Sequence, residues 1–394
     1  MKTEELYYQD VHMTRFTGRV LSCSEGKQKG TFEVVLDRTA FFPEQGGQKA
    51  DRGTLGGRAV LDAHIKNEEI VHLTDGPLAE GSSVEGEVDW ERRFDFMQQH
   101  TGEHMLSGRV HARFGYDNVG FHLSERETTL DFNGPISAEV LQELEEEVNR
   151  AIWQNLPVEI KWPEKEVLKD LEYRSKIELT GPVRIVEIPG IDRCACCAPH
   201  VDSTALVGLL KITEAQNYKG GVRLHICCGL RALRDYREKQ ENNDAVSVML
   251  SAKRDETAAA VRRLKEKEGE AEHRASVLGK RLLKALADLL PGPEASEHAF
   301  LFTEGADGNA MRQTVNELVQ RYPGVTAVFS GNPESGFNFA MGSAGTDLKA
   351  LSGELRAKGF RCGGSREYLQ GSVPGTEEEI RRTLADLLGT VTRP

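Results

Sequence analysis

A chain of 394 residues is long for one hydrophobic core and points to roughly two to four domains, while 39% hydrophobic and 28% charged residues describe a globular protein. A formal net charge of −12 argues against wholesale coating of nucleic acid, so any such contact must be regional. Seven cysteines, most of them bunched at Cys194, Cys196, Cys197, Cys227 and Cys228, do not form a disulfide framework in a chain this large and read as thiols available to metal. No stretch is long and apolar enough to span a membrane. The first residues, MKTEELYYQDVHMTRF, open with acids and lack an apolar core, so no secretory or transit signal is expected and the cytosol is the default address.

Residues 1–88 alternate apolar and polar positions in short runs such as GTFEVVLDRTAFF, separated by Gly-Gly and Asp-Gly turns, and predict a small β-barrel or curled sheet. From Trp90 the period changes to that of a helix, with Phe94, Met97, Met105 and Leu106 on its apolar face. His100 and His104 fall on this helix at i,i+4 and so share one side of it. A strand pair is expected around FHLSERETTLDFNG. A helix follows over 137–155, with Ser137 as N-cap and Leu141, Leu144 and Val148 at helical spacing; Glu145, Glu146 and Glu147 on it read as a solvated face. VRIVEIPGIDRCACCAPH then runs into a cysteine-rich turn, and ALVGLLKITEAQNYKGGVRLHICCG predicts further strands.

Cys196 and His200 in that turn complete a donor set with His100 and His104: one thiolate and three imidazoles, the mixture that suits tetrahedral Zn²⁺ rather than oxygen-seeking Mg²⁺ or Ca²⁺. Residues 89–235 are thus expected to form a zinc-binding α+β domain whose ligands come together only on folding.

Between Gly229 and Leu290 proline is missing, and Val261, Leu264, Glu268, Ala271, Ala275, Leu278, Leu282, Ala285 and Leu289 recur at alternating three- and four-residue steps. All but Glu268 are apolar, which predicts a long helix with a coiled-coil seam over 236–290. Residues 251–290 carry ten Lys/Arg against seven Asp/Glu, so this helix is either a solvated stalk or a surface beside an anionic partner. After the linker PGPEASEH, residues 291–394 alternate strand and helix as a compact α/β domain. Within it, RCGGSREYLQGSVPG holds Gly363, Gly364 and Gly371, read as a glycine loop able to bring backbone amides close to an anion or to make an ordinary turn. The expected fold class is therefore α+β: an N-terminal small β-barrel, a central α+β domain, a long helical segment and a C-terminal α/β domain.

LDRTAFFPEQGGQKADRGTL, HTGEHML, CCAPHVDSTALVGLLKI and GGVRLHICCG occur in an order and spacing that resemble the editing domain shared by alanyl-tRNA synthetases and freestanding AlaX-type trans-editing proteins. The helix and terminal domain are similar to the C-terminal appendage of those synthetases, so the whole resembles a long-form AlaX protein. No aminoacylation module precedes the barrel-like region, and charging of tRNA is not expected. The resemblance implies that His100, His104, Cys196 and His200 hold Zn²⁺, that Thr39, Gly46, Gly47 and Gln48 belong to a glycine-rich pocket loop, and that the reaction is hydrolysis of the ester joining serine, or glycine, to the 3′ end of tRNA(Ala). Such a second sieve is needed because a pocket shaped for alanine cannot strongly reject one added hydroxyl or one missing methyl. Thr39 is the candidate reader of the serine hydroxyl, with a plain turn hydroxyl as the alternative; Gln48 is a candidate to position water or the ribose, and Glu103 a candidate base. Gly363 and Gly364 are candidate tRNA contacts, and the long helix or the C-terminal domain a candidate homodimer contact.

The family's usual Cys-Gly-Gly-Thr-His segment is replaced here by Cys196, Cys197, Ala198, Pro199 and His200, with Cys194 adjacent, which leaves the identity of the thiol ligand open. Four protein ligands also leave open whether the metal is structural or catalytic. Two other functions fit parts of the chain. HTGEH satisfies the pattern of inverted zinc peptidases, and a zinc-stabilised module that binds tRNA or oligomerises without catalysis would need no turnover at all.

Overall fold

The computed structural model describes residues 2–175 and 181–389. The chain divides into two compact units, Met1–Asn242 and Asn243–Pro394, of mixed α and β structure.

In the first unit a two-residue strand β1 (Glu4–Glu5) precedes β2 (Arg15–Glu25), β3 (Phe32–Leu36), β4 (Arg38–Thr39), β5 (Gly53–Leu55), β6 (Arg58–Lys66), β7 (Glu69–Thr74) and β8 (Ser83–Val88). Six of these close into a barrel in the order β2-β3-β7-β6-β5-β8, and β1 pairs with β4 beside it. The alternation read from the sequence has a direct cause: every second residue of β2 up to Val20 turns inward, and Phe16, Val20, Val34, Leu36, Phe41, Leu55 and Val60 fill the interior. Register shifts at Val20/Ser22 and Val60/Asp62 bend the strands where the barrel closes.

Asp89 then caps α1 (Trp90–Phe114), its carboxylate accepting from the Arg92 amide, and Gly115 ends the helix in the left-handed region. Strands β9 (Asn118–Leu123) and β10 (Thr128–Phe132) form the expected pair; α2 (Ala138–Trp153) starts at the Ser137 cap; β11 (Glu159–Lys161), a short α3 (Lys165–Lys169), β12 (Ile185–Ile188), β13 (Asp192–Ala195), β14 (Leu210–Tyr218) and β15 (Gly221–Cys228) follow. They make a four-stranded sheet, β14-β15-β10-β9, and a three-stranded one, β11-β12-β13. Met105, Leu106 and Val110 of α1 and Leu141, Leu144 and Val148 of α2 share a core with Leu130, Leu224 and Ile226 of the larger sheet. Gly102 is placed where α1 meets β15, because a side chain there would run into the Cys228 sulfur.

The single long helix expected over 236–290 is instead two: α4 (Gly229–Met249) and α5 (Thr257–Asp288). Side chains that bond the backbone locally interrupt it. Ser247 Oγ donates to the Ala252 carbonyl at 2.6 Å, Asn243 Nδ2 to the Arg254 carbonyl at 2.9 Å, and Ser251 takes a positive φ of 48°. No proline or glycine marks the break, so periodicity alone ran through it.

In the second unit β16 (Ala299–Thr303), α6 (Gly308–Arg321), β17 (Thr326–Asn332), β18 (Gly336–Gly342), α7 (Leu348–Ala357), β19 (Arg361–Gly364), β20 (Tyr368–Val373) and α8 (Glu377–Leu388) build one sheet in the order β16-β17-β18-β20-β19. One core holds Leu283 and Ala287 of α5 with Met311, Val315 and Leu318 of α6; another holds Leu348, Leu351 and Leu355 of α7 with Ile380 and Leu384 of α8. All nine positions of the expected seam are exposed, and the residues that α5 buries, Ala260, Leu283 and Ala287, lie off it. The glycine segment read as a loop is a hairpin: Gly363 and Gly364 lie in β19, paired with Gln370 and Leu369 of β20. Among the described residues no helix is long and apolar enough to cross a membrane.

Candidate metal centre

Helix α1 is polar along its buried middle: Gln99, His100, Thr101, Glu103, His104 and Ser107 are all nearly inaccessible. Burying so many polar groups is tolerable only if each finds a partner. His100 and His104, one turn apart, face the turn after β13 that carries Cys196 and His200. The Nδ1/Nε2 and Sγ atoms of these four residues all lie within 4.8 Å of one another. Cys196 Sγ is 3.6 Å from His100 Nε2 and 3.4 Å from His200 Nε2. A tetrahedron built from ordinary Zn–N and Zn–S bonds has an N···S edge of about 3.6 Å, so the donor set fits a zinc ion in both chemistry and size.

The far nitrogen of each imidazole is held separately. Gln48 Oε1 accepts from His100 Nδ1 at 2.8 Å, Asp192 Oδ2 accepts from His104 Nδ1 at 3.0 Å, and Thr101 Oγ1 lies 3.0 Å from His200 Nδ1. With Nδ1 engaged in this way the Nε2 atoms are the ones turned toward the Cys196 sulfur, the outer-sphere pattern of metal-binding histidines. Asp192 is pinned in turn by Arg174, whose Nε and Nη2 reach its oxygens at 2.7 and 2.9 Å.

Electrostatics distinguish the three thiols near the turn. Burial alone would push Cys196 up, but the charges and hydrogen bonds of the surrounding imidazoles hold it well below the usual thiol range. Burial raises Cys194, and burial together with the Cys196 charge raises Cys197 to about 12. Burial likewise draws His200 down to about 3, whereas His104, despite burial, is lifted to about 10 by Asp192, with Cys196 and Glu103 adding to it. Of the three thiols, Cys196 is the one whose sulfur lies among the imidazoles, while Cys194 groups with His104 and Asp192.

A cavity of about 490 Å³ opens over the cluster. Gln45, Gly46, Gly47, Phe121, Trp162, Tyr8, Arg184 and Cys197 are among the residues that line it. The glycine turn is closed by reciprocal backbone bonds between Gln45 and Gln48, 3.1 Å each, and docks on β9 through Leu123 N to Gly47 O at 2.8 Å. Gly47 has φ 84°, and a side chain on it would collide with the Phe121 carbonyl oxygen.

The remaining residues singled out in the sequence are placed as follows. Gln48 is fully buried, and its Nε2 has no hydrogen-bond partner among the described residues. Glu103 Oε1 accepts from Ser107 Oγ at 2.8 Å and from Asn118 Nδ2 at 2.6 Å, and its Oε2 lies 3.7 Å from His104 Nε2. Thr39 is buried in the barrel and does not line the cavity; its hydroxyl meets His72 Nε2 at 2.8 Å and accepts from the Phe41 amide at 3.1 Å. Gly363 and Gly364 belong to the second unit, on the edge strand of its sheet. Sequence reasoning missed Asp192, Arg174, Thr101, Trp162 and Arg184. A carboxylate behind a ligand histidine is a general expectation, yet nothing in the spacing says which of many acids folds into that place.

The fold and site together define an α+β protein with a barrel beside a candidate metal centre of three imidazoles and one thiol. Residues 183–225 match the threonyl and alanyl tRNA synthetase second additional domain, and residues 1–92 match the class II (A) tRNA synthetases. The chain is 33% identical to the alanine–tRNA ligase of Pyrobaculum neutrophilum over 98% of its own length and 44% of the ligase, so it spans less than half of that relative. It is 31% identical to the alanyl-tRNA editing protein Aarsd1 of Mus musculus over 66% of this chain and 67% of that protein, and 35% identical to the alanyl-tRNA editing protein AlaX-L of Pyrococcus horikoshii over 59% and 61%. The chain belongs to the AlaX-type family of alanyl-tRNA editing proteins.

Proposed function

We propose that the protein is a trans-editing deacylase that hydrolyses the ester between a wrong amino acid, serine or glycine, and the 3′ end of tRNA(Ala) in the cytoplasm. The observation that carries this is the convergence of His100, His104, Cys196 and His200, the first three of which line a cavity shared with the Gly46–Gly47 turn. Zn²⁺ held by these four would supply a fixed positive charge beside the aminoacyl group. Gln48, buried and outside the cavity lining, holds His100 through its oxygen and so fixes that ring for the metal. Glu103, with one oxygen anchored by Ser107 and Asn118, is the group to take the proton of the attacking water. Thr39 would read a serine hydroxyl only by exchanging its His72 partner for the substrate. In the second unit Gly363, with nothing within 4 Å of where a side chain would stand, would let the tRNA backbone approach the edge strand, and the exposed seam of α5 is the proposed homodimer contact.

The complete four-donor set is the observation that favours the non-catalytic alternative, since catalytic zinc usually keeps an open position. An inverted peptidase leaves Cys196 and His200 without a role, although they lie in the cluster. Deacylation of seryl-, glycyl- and alanyl-tRNA(Ala) separates these readings. Serine, or serine and glycine, should be released well above the spontaneous rate with alanine largely spared. Binding without turnover would establish the structural module, and cleavage of peptides the peptidase.

A further inference from the structure

Trp162, Tyr8 and Arg184 form a row from the mouth of the cavity toward the cluster, with Trp162 edge-on to Tyr8 at 5.6 Å and the Arg184 guanidinium 5.4 Å from the Tyr8 ring. All three line the cavity that holds His100, His104 and Cys196. The two ends of the row are unsatisfied in opposite ways. Trp162 lines the cavity and leaves 51% of its surface in water. Arg184 is only 6% exposed, yet among the described residues it has no carboxylate partner. Its Nη1 donates to the carbonyls of Cys196 and Ala198 at 2.8 and 2.9 Å, and its buried Nε has no partner among the described residues. A guanidinium taken out of water without an oxyanion to fork onto is costly, and an aromatic face left open beside it is what single-stranded nucleic acid uses. In a chain of net charge −12, a local cation is also what an anionic ligand requires.

Resting on the editing activity proposed above, we propose that this row receives the unpaired acceptor end of the tRNA, a nucleobase lying on Trp162 and a phosphodiester oxygen on Arg184. Stacking tolerates any base, so the row contributes affinity and placement of the ester while leaving amino-acid choice to the cavity floor.

The test uses the full zinc-loaded chain and a short single-stranded RNA ending in CCA that carries a fluorescent label at its 5′ end, followed by fluorescence anisotropy. It is paired with steady-state deacylation of seryl-tRNA(Ala). Trp162→Ala is expected to weaken the RNA at least about five-fold and to raise KM while kcat holds. Arg184→Lys, which keeps the charge but loses the planar fork, is expected to weaken it and to raise KM. Trp153→Ala, an indole 70% exposed and outside the cavity, is the control and should bind as the parent does. Metal content and melting of each variant report that it is folded. Parent-like RNA affinity and KM in both Trp162→Ala and Arg184→Lys overturn the proposal even if seryl-tRNA is hydrolysed. RNA binding that depends on Trp162 in a protein that hydrolyses no aminoacyl-tRNA would sustain the row and reject the editing activity instead.

Discussion

At the scale of single residues, the centre depends on the groups behind its imidazoles, Gln48, Asp192 and Thr101. Asp192 is the most constrained, because it accepts from His104 and is gripped by Arg174 while almost fully buried. Asp192→Asn should keep the fold but weaken zinc by roughly 10- to 100-fold, read by competition with a chelating dye, since the amide holds the ring with less charge and leaves Arg174 short of an anion. His72 governs a different property. Burial draws its imidazole down to about 4, with its Nδ1 against the Val34 carbonyl and its Nε2 against Thr39. An unfolded histidine takes its proton near pH 6.5, so between that value and about 4 the unfolded chain binds a proton that the folded chain refuses. His72 therefore contributes its full stability above pH 6.5 and withdraws on the order of 3 kcal/mol as the pH falls to about 4. Denaturation of the parent and of His72→Gln at pH 7.5 and 4.5 isolates this share, because the other histidines are common to both. The variant should lose less on acidification, and equal losses would remove His72 from the acid response.

At the scale of elements, the site works only if α1 is locked to the barrel that carries the glycine turn. That lock is Arg93 on Asp51, both buried: Arg93 Nε reaches the Asp51 oxygens at 3.0 and 2.9 Å, its Nη2 contacts the same carboxylate and the Ala40 carbonyl, and Asp51 also accepts from the Phe42 amide. Removing one partner strands the other charge away from water. Asp51→Ala should cost roughly 3–5 kcal/mol, seen as a lower denaturant midpoint with the slope unchanged. The sequence made α1 and its two histidines legible because a helix repeats its face every three to four residues, and it made the barrel legible because strands alternate. Asp51 and Arg93 were invisible because a pair forty-two positions apart in the chain has no local period. The break between α4 and α5 was invisible for the opposite reason: Ser247 and Asn243 are acceptable in a helix and act against it only through bonds to residues beyond its end. Cys196 was separable from Cys194 and Cys197 only once the imidazoles around its sulfur were in place.

At the scale of the whole molecule, every residue of the metal cluster and of the cavity over it belongs to Met1–Asn242, and the hydrophobic clusters of this unit share no member with those of Asn243–Pro394. A cut after Asn242 falls inside α4, whose one buried residue is Ala232 and whose start is held by Arg231 on Asp95, with the shortest contact 2.6 Å. The cut thus removes exposed helix and leaves that anchor intact. Residues 1–242 should fold alone, retain zinc and, under the activity proposed above, release serine from bound seryl-tRNA at close to the full-length rate. If the second unit holds the tRNA body, the fragment should show a raised KM and little change in kcat, and its affinity should fall less steeply with added salt because fewer phosphates are neutralised. An unchanged KM would assign tRNA recognition to the first unit alone, whereas a fragment that binds zinc but no longer turns over would make the second unit part of the catalytic arrangement.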